Sequence, residues 1–111
     1  EGFENIFDSY LKLCKLNKND ILMIFSVGGG NQKKKVSVNI IKAIKFAKIK
    51  KSKIISIVGK SDGYAYKNSD IKILIKVKDK KLVTPVSETF QVLIWHLFVS
   101  HPKLQINKTK W

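Results

Sequence analysis

ILMIFSVGGG, residues Ile21–Gly30, decides the fold. Its apolar residues follow one another without alternation, the run is too short for a helix, and glycine closes it. That is the pattern of a strand buried on both faces of a parallel sheet. Glycines after a strand have two uses: they turn the chain, or they let backbone N–H groups approach an anion closely. The pattern alone leaves both open.

Upstream, FENIFDSYLKLCKL spaces Phe3, Ile6, Phe7, Tyr10, Leu11, Leu13 and Cys14 mostly three and four residues apart, which predicts an amphipathic helix. Cys14 is expected as a small core residue on it, and LNKND supplies the turn into the strand. Downstream, SVNIIKAIKFAKIKK places Ile40, Ile41, Ile44 and Ala47 on one face of a second helix, with Ser37 as its N-cap. KIISIVG reads as a second strand ending in glycine, KSDGYAYKNSD as a loop with room for one turn of helix, and IKILIKV as a third strand. In the last, Lys72 and Lys76 alternate with Ile71, Ile73 and Ile75, which marks a sheet edge. KDKKLVTP is expected as loop, and SETFQVLIWHLFVSH as the most apolar helix, stopped by Pro102. The order predicts an α/β layered domain with a parallel sheet and right-handed crossovers. Three strands are few, since such sheets commonly have about four to six.

The totals narrow the function. A chain of 111 residues suits one domain with one core. No apolar run is expected to reach the roughly 18 to 20 residues of a membrane span, and there is no signal-peptide pattern, so the expectation is a cytoplasmic protein without a membrane partner. The lone cysteine excludes an internal disulfide. A formal charge of +14 raises nucleic acid as a partner. All 22 basic residues are lysine, however, and they are scattered through nearly every segment. Without arginine, the usual bidentate reader of guanine and phosphate, nucleic acid is disfavoured.

In open α/β sheets ligands sit beyond the C-terminal ends of the strands, and Ser26–Ser37 lies at such an end. It is neither a Walker A loop nor GxGxxG. The lysines at 33, 34 and 35 read as a solvated charge run or as reaching phosphate contacts. Glu88 and His96 are eight residues apart on the last helix, about 80° of rotation and 12 Å of rise, so they can border one pocket. A histidine is suited to moving a proton near neutral pH, and equally to a hydrogen-bonded place in a core. His101, beside Pro102, suits a helix end.

The succession NDILMIFSVGGG, SVNIIKAIKFAK, KIISIVGKSDGY and VTPVSETFQVLIWHLFVSHP resembles the C-terminal two-thirds of a sugar isomerase (SIS) domain, in its phosphoheptose isomerase branch. The resemblance runs from the first helix to Trp111. It implies a Rossmann-like three-layer fold that lacks its N-terminal strands and helices, residues 1–111 being an incomplete C-terminal portion of a single domain. In that family a serine-rich loop, Ser-x-Ser-Gly-Asn-Ser, holds the sugar phosphate. Ser26, Gly29 and Ser37 match its first serine, its glycine and its last serine. Gly28 stands where a serine is expected, and about six additional residues precede Ser37.

The resemblance also implies roles on the last helix and in the second loop. His96 matches the family's acid/base or metal-binding histidine, and Glu88 a position usually held by glutamine, so zinc held by Glu88 and His96 is an implied cofactor. Asp62 matches a loop near the substrate, with Lys60 a candidate phosphate contact. The implied function is aldose–ketose isomerisation of a sugar phosphate such as sedoheptulose 7-phosphate through an enediol, in a homo-oligomer (dimer or tetramer) with sites at subunit interfaces. The family's catalytic glutamate lies on a helix that this chain does not show; Glu1 and Glu4 stand in no matching motif. The competing implication is a non-catalytic module that binds phosphosugars or other proteins.

Overall fold

A computed structural model describes residues 2–108 and 110; Glu1 and Trp111 lie outside the described residues. A 3-10 turn, Phe3–Asn5, leads into α1 (Ile6–Leu13), followed by β1 (Ile21–Ser26), α2 (Val38–Ile49), β2 (Lys53–Val58), α3 (Tyr64–Asn68), β3 (Ile71–Leu74), a second 3-10 turn at Lys80–Leu82 and α4 (Val83–Ser100). The strands form one parallel sheet in the order β1-β2-β3. Ser26 therefore lies beside Val58, and Val58 beside Leu74, so the C-terminal strand ends form one rim.

Parallel pairing sends each connection back across a face of the sheet, and the sequence supplies apolar helices for it. Ile44 and Ala47 of α2 and Ala65 of α3 pack with Ile24, Ile54 and Val58 in one core cluster. Residue alternation along the strands points Ile55 and Ile57 to the other face, which α4 reaches at the Gly59 end of β2. The result is a three-layer α/β arrangement, as expected.

Four details depart from the sequence reading. β1 was expected to be buried on both faces, yet it is an outer strand, and Ile21, Met23 and Phe25 are exposed because no described helix covers their side. Cys14 is exposed: α1 ends at Leu13, Cys14 is the residue beyond, and Leu16 takes the buried place instead. Ser37 occupies the N-cap position of α2 in a left-handed conformation (φ 50°, ψ 47°), and its side chain does not cap the helix.

The fourth departure concerns α4. It begins at Val83, inside the segment expected as loop, because Asp79 caps the preceding turn by accepting from the Lys81 amide (2.9 Å). Pro85 is tolerated in the first helical turn, where amides lack intrahelical partners anyway. Together Lys80–Ser100 make 21 helical residues, long and apolar enough by length and composition to cross a membrane, which the sequence reading did not expect. A single helix of this kind is weak evidence of a span, and the two buried polar residues of α4, Ser87 and Gln91, are directed at the sheet.

Replacing Ile44, which is fully buried, with alanine should cost about 2–5 kcal/mol in urea unfolding, whereas Ile49→Ala, 75% exposed on the same helix, should cost less than about 0.5 kcal/mol.

Candidate phosphosugar site at the strand ends

The decisive geometry is in the residues after β1. The Asn31 amide donates to the Val36 carbonyl (2.9 Å) and the Val36 amide returns to the Asn31 carbonyl (3.0 Å). Asn31 Oδ1 accepts from the Lys34 amide (2.9 Å), closing the turn from within. Residues 31–36 are thus a sealed side loop, and Lys33, Lys34 and Lys35 are exposed on it. The chain leaves at Gly30 and returns at Ser37. A Cβ on Gly30 would lie 3.2 Å from the Ser37 carbonyl oxygen. Ser26–Gly30 and Ser37 are consequently one continuous loop in space, at the N-terminus of α2.

Each part of that loop has a definite hydrogen-bonding state. The Gly29 amide donates to Ser26 Oγ (3.0 Å), so the hydroxyl's acceptor side is used and its own proton remains to donate. The carbonyls of Gly29 and Gly30 accept from the first amides of α3, Ala65 (2.8 Å) and Tyr64 (2.9 Å). Gly29 and Gly30 need positive φ, 72° and 84°, to make this turn. Gly28 is exposed with nothing within 4 Å of where a Cβ would stand, so the serine expected there is absent without any steric reason. Ser37 is exposed at the start of a helix of 12 residues, whose terminal amides favour an anion.

The loop after β2 meets this one. A Cβ on Gly63 would run into the Gly28 carbonyl oxygen, so only glycine lets the two loops touch. Lys60 and Asp62 are exposed in it and line a cleft of about 530 Å³ together with Gly59, Leu74 and Lys76. Lys60 and Asp62 therefore share one rim with Ser26, Gly28, Gly29 and Ser37.

The last helix reaches the rim differently. Ser87 is buried against Gly59, where a side chain would collide with the serine hydroxyl. Gln91, one turn on, donates from Nε2 to the Ser26 carbonyl (3.1 Å) and the Ile57 carbonyl (2.9 Å). Glu88 and His96 are both exposed, and the His96 ring stacks on Trp95 with centroids 3.8 Å apart. Among the described residues no group of three or more His, Cys, Asp or Glu side chains gathers where an ion could sit. Glu88 and His96 supply at most two of the four ligands zinc usually takes, so the described residues do not by themselves fit that metal. Sequence reasoning missed Ser87, Gln91 and Gly63. The signal for Gln91 was present: one amide inside the apolar stretch from Phe90 to Trp95.

A phosphoheptose isomerase of Buchnera aphidicola subsp. Schizaphis graminum (strain Sg) is 36% identical over 74 residues, covering 67% of this chain and 34% of that protein. Two solved structures share the fold. A phosphoheptose isomerase from Francisella tularensis superposes with a TM-score of 0.66 at 22% identity, over 86% of this chain and 48% of that one. The chain is phosphoheptose isomerase-like, with part of an SIS-type fold. A Listeria monocytogenes protein assigned as a sugar-phosphate isomerase gives 0.56 at 22% identity, over 86% of this chain and 51% of that one. No family model matches. The chain thus spans about a third of the curated relative and about half of each structure.

If Gly63 is glycine because the Gly28 carbonyl fills its side-chain space, Gly63→Ala should lose about 1–3 kcal/mol in urea unfolding. Gly28→Ala, with open space, should stay within about 0.5 kcal/mol of the parent.

Proposed function

We propose that this chain is the C-terminal portion of a phosphosugar isomerase domain and binds the phosphate of a sugar such as sedoheptulose 7-phosphate in the loop Ser26–Gly30 plus Ser37. The observation that carries the reading is the sealed side loop at 31–36, which restores a continuous serine–glycine loop at a helix N-terminus. Ser26 and Ser37 would donate hydroxyl protons to phosphate oxygens, with the first amides of α2 adding their partial positive charge. Lys60 would approach from the second loop, and the net charge of +14 would draw anionic substrates to the surface. Asp62 and Glu88 would face the sugar hydroxyls.

In aldose–ketose isomerisation a base removes the proton on the carbon next to the carbonyl and the carbonyl oxygen is protonated, giving an enediol. A proton then returns to the former carbonyl carbon while the other enediol hydroxyl gives up its proton and becomes the new carbonyl. His96 is the residue of this chain suited to carry such a proton. Nothing in the described residues stands opposite it as the initiating base, and we assign that role to a carboxylate from outside this chain. No step is routed through a metal. The second reading, a phosphosugar-binding module without turnover, draws on a separate observation: Glu88 and His96 are exposed and no described acidic group completes them. The proposed setting is the cytoplasm.

We place this chain in a homo-oligomer. Along α4, Phe90, Val92, Leu93, Leu97 and Val99 are all more than 40% exposed, and the Ile21, Met23 and Phe25 side of the sheet is uncovered as well. Apolar surface of this extent marks an interaction face. Leu93→Asp, at 61% exposure, should shift sedimentation toward the monomer without unfolding the chain.

Isothermal titration with sedoheptulose 7-phosphate tests the site. Ser37→Ala should weaken binding about ten- to a hundredfold, the range for a hydrogen bond to a charged group. Simultaneous replacement of Lys33, Lys34 and Lys35 by serine should change it less than about threefold beyond the general loss of charge. Binding without turnover, unchanged in His96→Ala, would reject the enzyme reading and leave the binding module.

A further inference from the structure

The Gln91 carboxamide has two N–H donors, and both are used on backbone acceptors from different strands: Ser26 at the end of β1 and Ile57 in β2. The residue is 8% exposed. Its partners lie 65 and 34 residues away in sequence, so this contact is set by the tertiary fold. One of them, Ser26, is also the residue whose hydroxyl opens the phosphate loop. On the helix, Gln91 stands between Glu88 and His96, three residues after the first and five before the second. Among the described residues no other side chain of α4 hydrogen-bonds to the sheet, and Ser87, one turn earlier, is buried without a hydrogen-bond partner.

We infer that Gln91 is a positioning residue, which fixes the separation between the phosphate loop and the Glu88/His96 face of α4 by tying the helix to the backbone of Ser26. The inference rests on the phosphosugar reading above. A glutamine suits this task for a chemical reason. It carries two neutral donors on one atom at the end of a flexible stem, whereas glutamate at neutral pH offers only acceptors to two carbonyls, and methionine fills similar volume with no donor. Loss of the donors would leave the buried Ile57 carbonyl and the half-buried Ser26 carbonyl without that partner and free the helix to shift along the rim.

The two ends of a phosphosugar separate the possibilities. Inorganic phosphate needs only the loop, while sedoheptulose 7-phosphate must reach from the loop to α4. In Gln91→Met, below its melting temperature and with helix content confirmed by circular dichroism, affinity for sedoheptulose 7-phosphate should fall at least tenfold. Affinity for inorganic phosphate should change less than threefold. Gln91→Glu should behave like Gln91→Met at pH 8 and recover sugar-phosphate affinity, relative to that of the parent protein at the same pH, as acidification protonates the carboxyl and returns one donor. Equal losses for both ligands, or no loss for either, would overturn the positioning role while leaving the binding site intact. If the unsubstituted chain binds neither ligand, the phosphosugar reading fails first and the positioning role falls with it.

Discussion

Two backbone hydrogen bonds between Asn31 and Val36 hold the whole candidate site together. Each contributes only about 0.5–1.5 kcal/mol net. Their effect is geometric. They return the chain to where it left, so that six added residues extend outward and the loop continues from Gly30 to Ser37 as if uninterrupted. The other contacts of the loop build on that closure: the Gly29 and Gly30 carbonyls receive the amides of α3, and Gly63 packs on Gly28. The strand order then places this loop, the Lys60–Asp62 loop and the start of α4 on one rim.

The same architecture explains why the chain presents so much apolar surface. A parallel sheet stabilises its strands by covering both faces with helices. Here α2 and α3 cover one face, while α4 touches the other only near Gly59, Ser87 and Gln91. Past Gln91 the helix carries Leu93, Trp95 and Leu97 into exposure, and His96 rides on that uncovered half. A group held there gains a dry, fixed environment only when another surface packs against it. The proposed chemistry and the proposed assembly are therefore the same requirement seen from two sides.

Much of this was legible in the sequence, for reasons that differ from element to element. The continuous apolar runs ILMIFSV and KIISIVG identified β1 and β2, and the spacing of Ile41, Ile44 and Ala47 identified the buried face of α2. Lysines alternating through IKILIKV gave β3 its edge position. What failed was anything dependent on neighbours. Apolarity on both sides of β1 records surfaces that want cover, and cannot say whether the cover is within the chain. The side loop at 31–36 has no turn signature strong enough to announce that its ends pair, and its three lysines draw attention from Asn31, whose side chain shapes it. Ser37 matched a family serine and an N-cap position, yet its left-handed backbone rules out the capping bond and leaves the hydroxyl for another partner. Gln91 was visible only as an oddity, because its partners are distant in sequence.

The most direct test of the continuous loop is a titration of the isotopically labelled chain with sedoheptulose 7-phosphate, followed through its backbone amide resonances. The structure predicts that Gly28, Gly30, Ser37 and Val38 shift together along one saturation curve, while Lys33, Lys34 and Lys35, on the sealed side loop, stay nearly still. Shifts concentrated at the three lysines, with Gly28 and Ser37 unmoved, would contradict it.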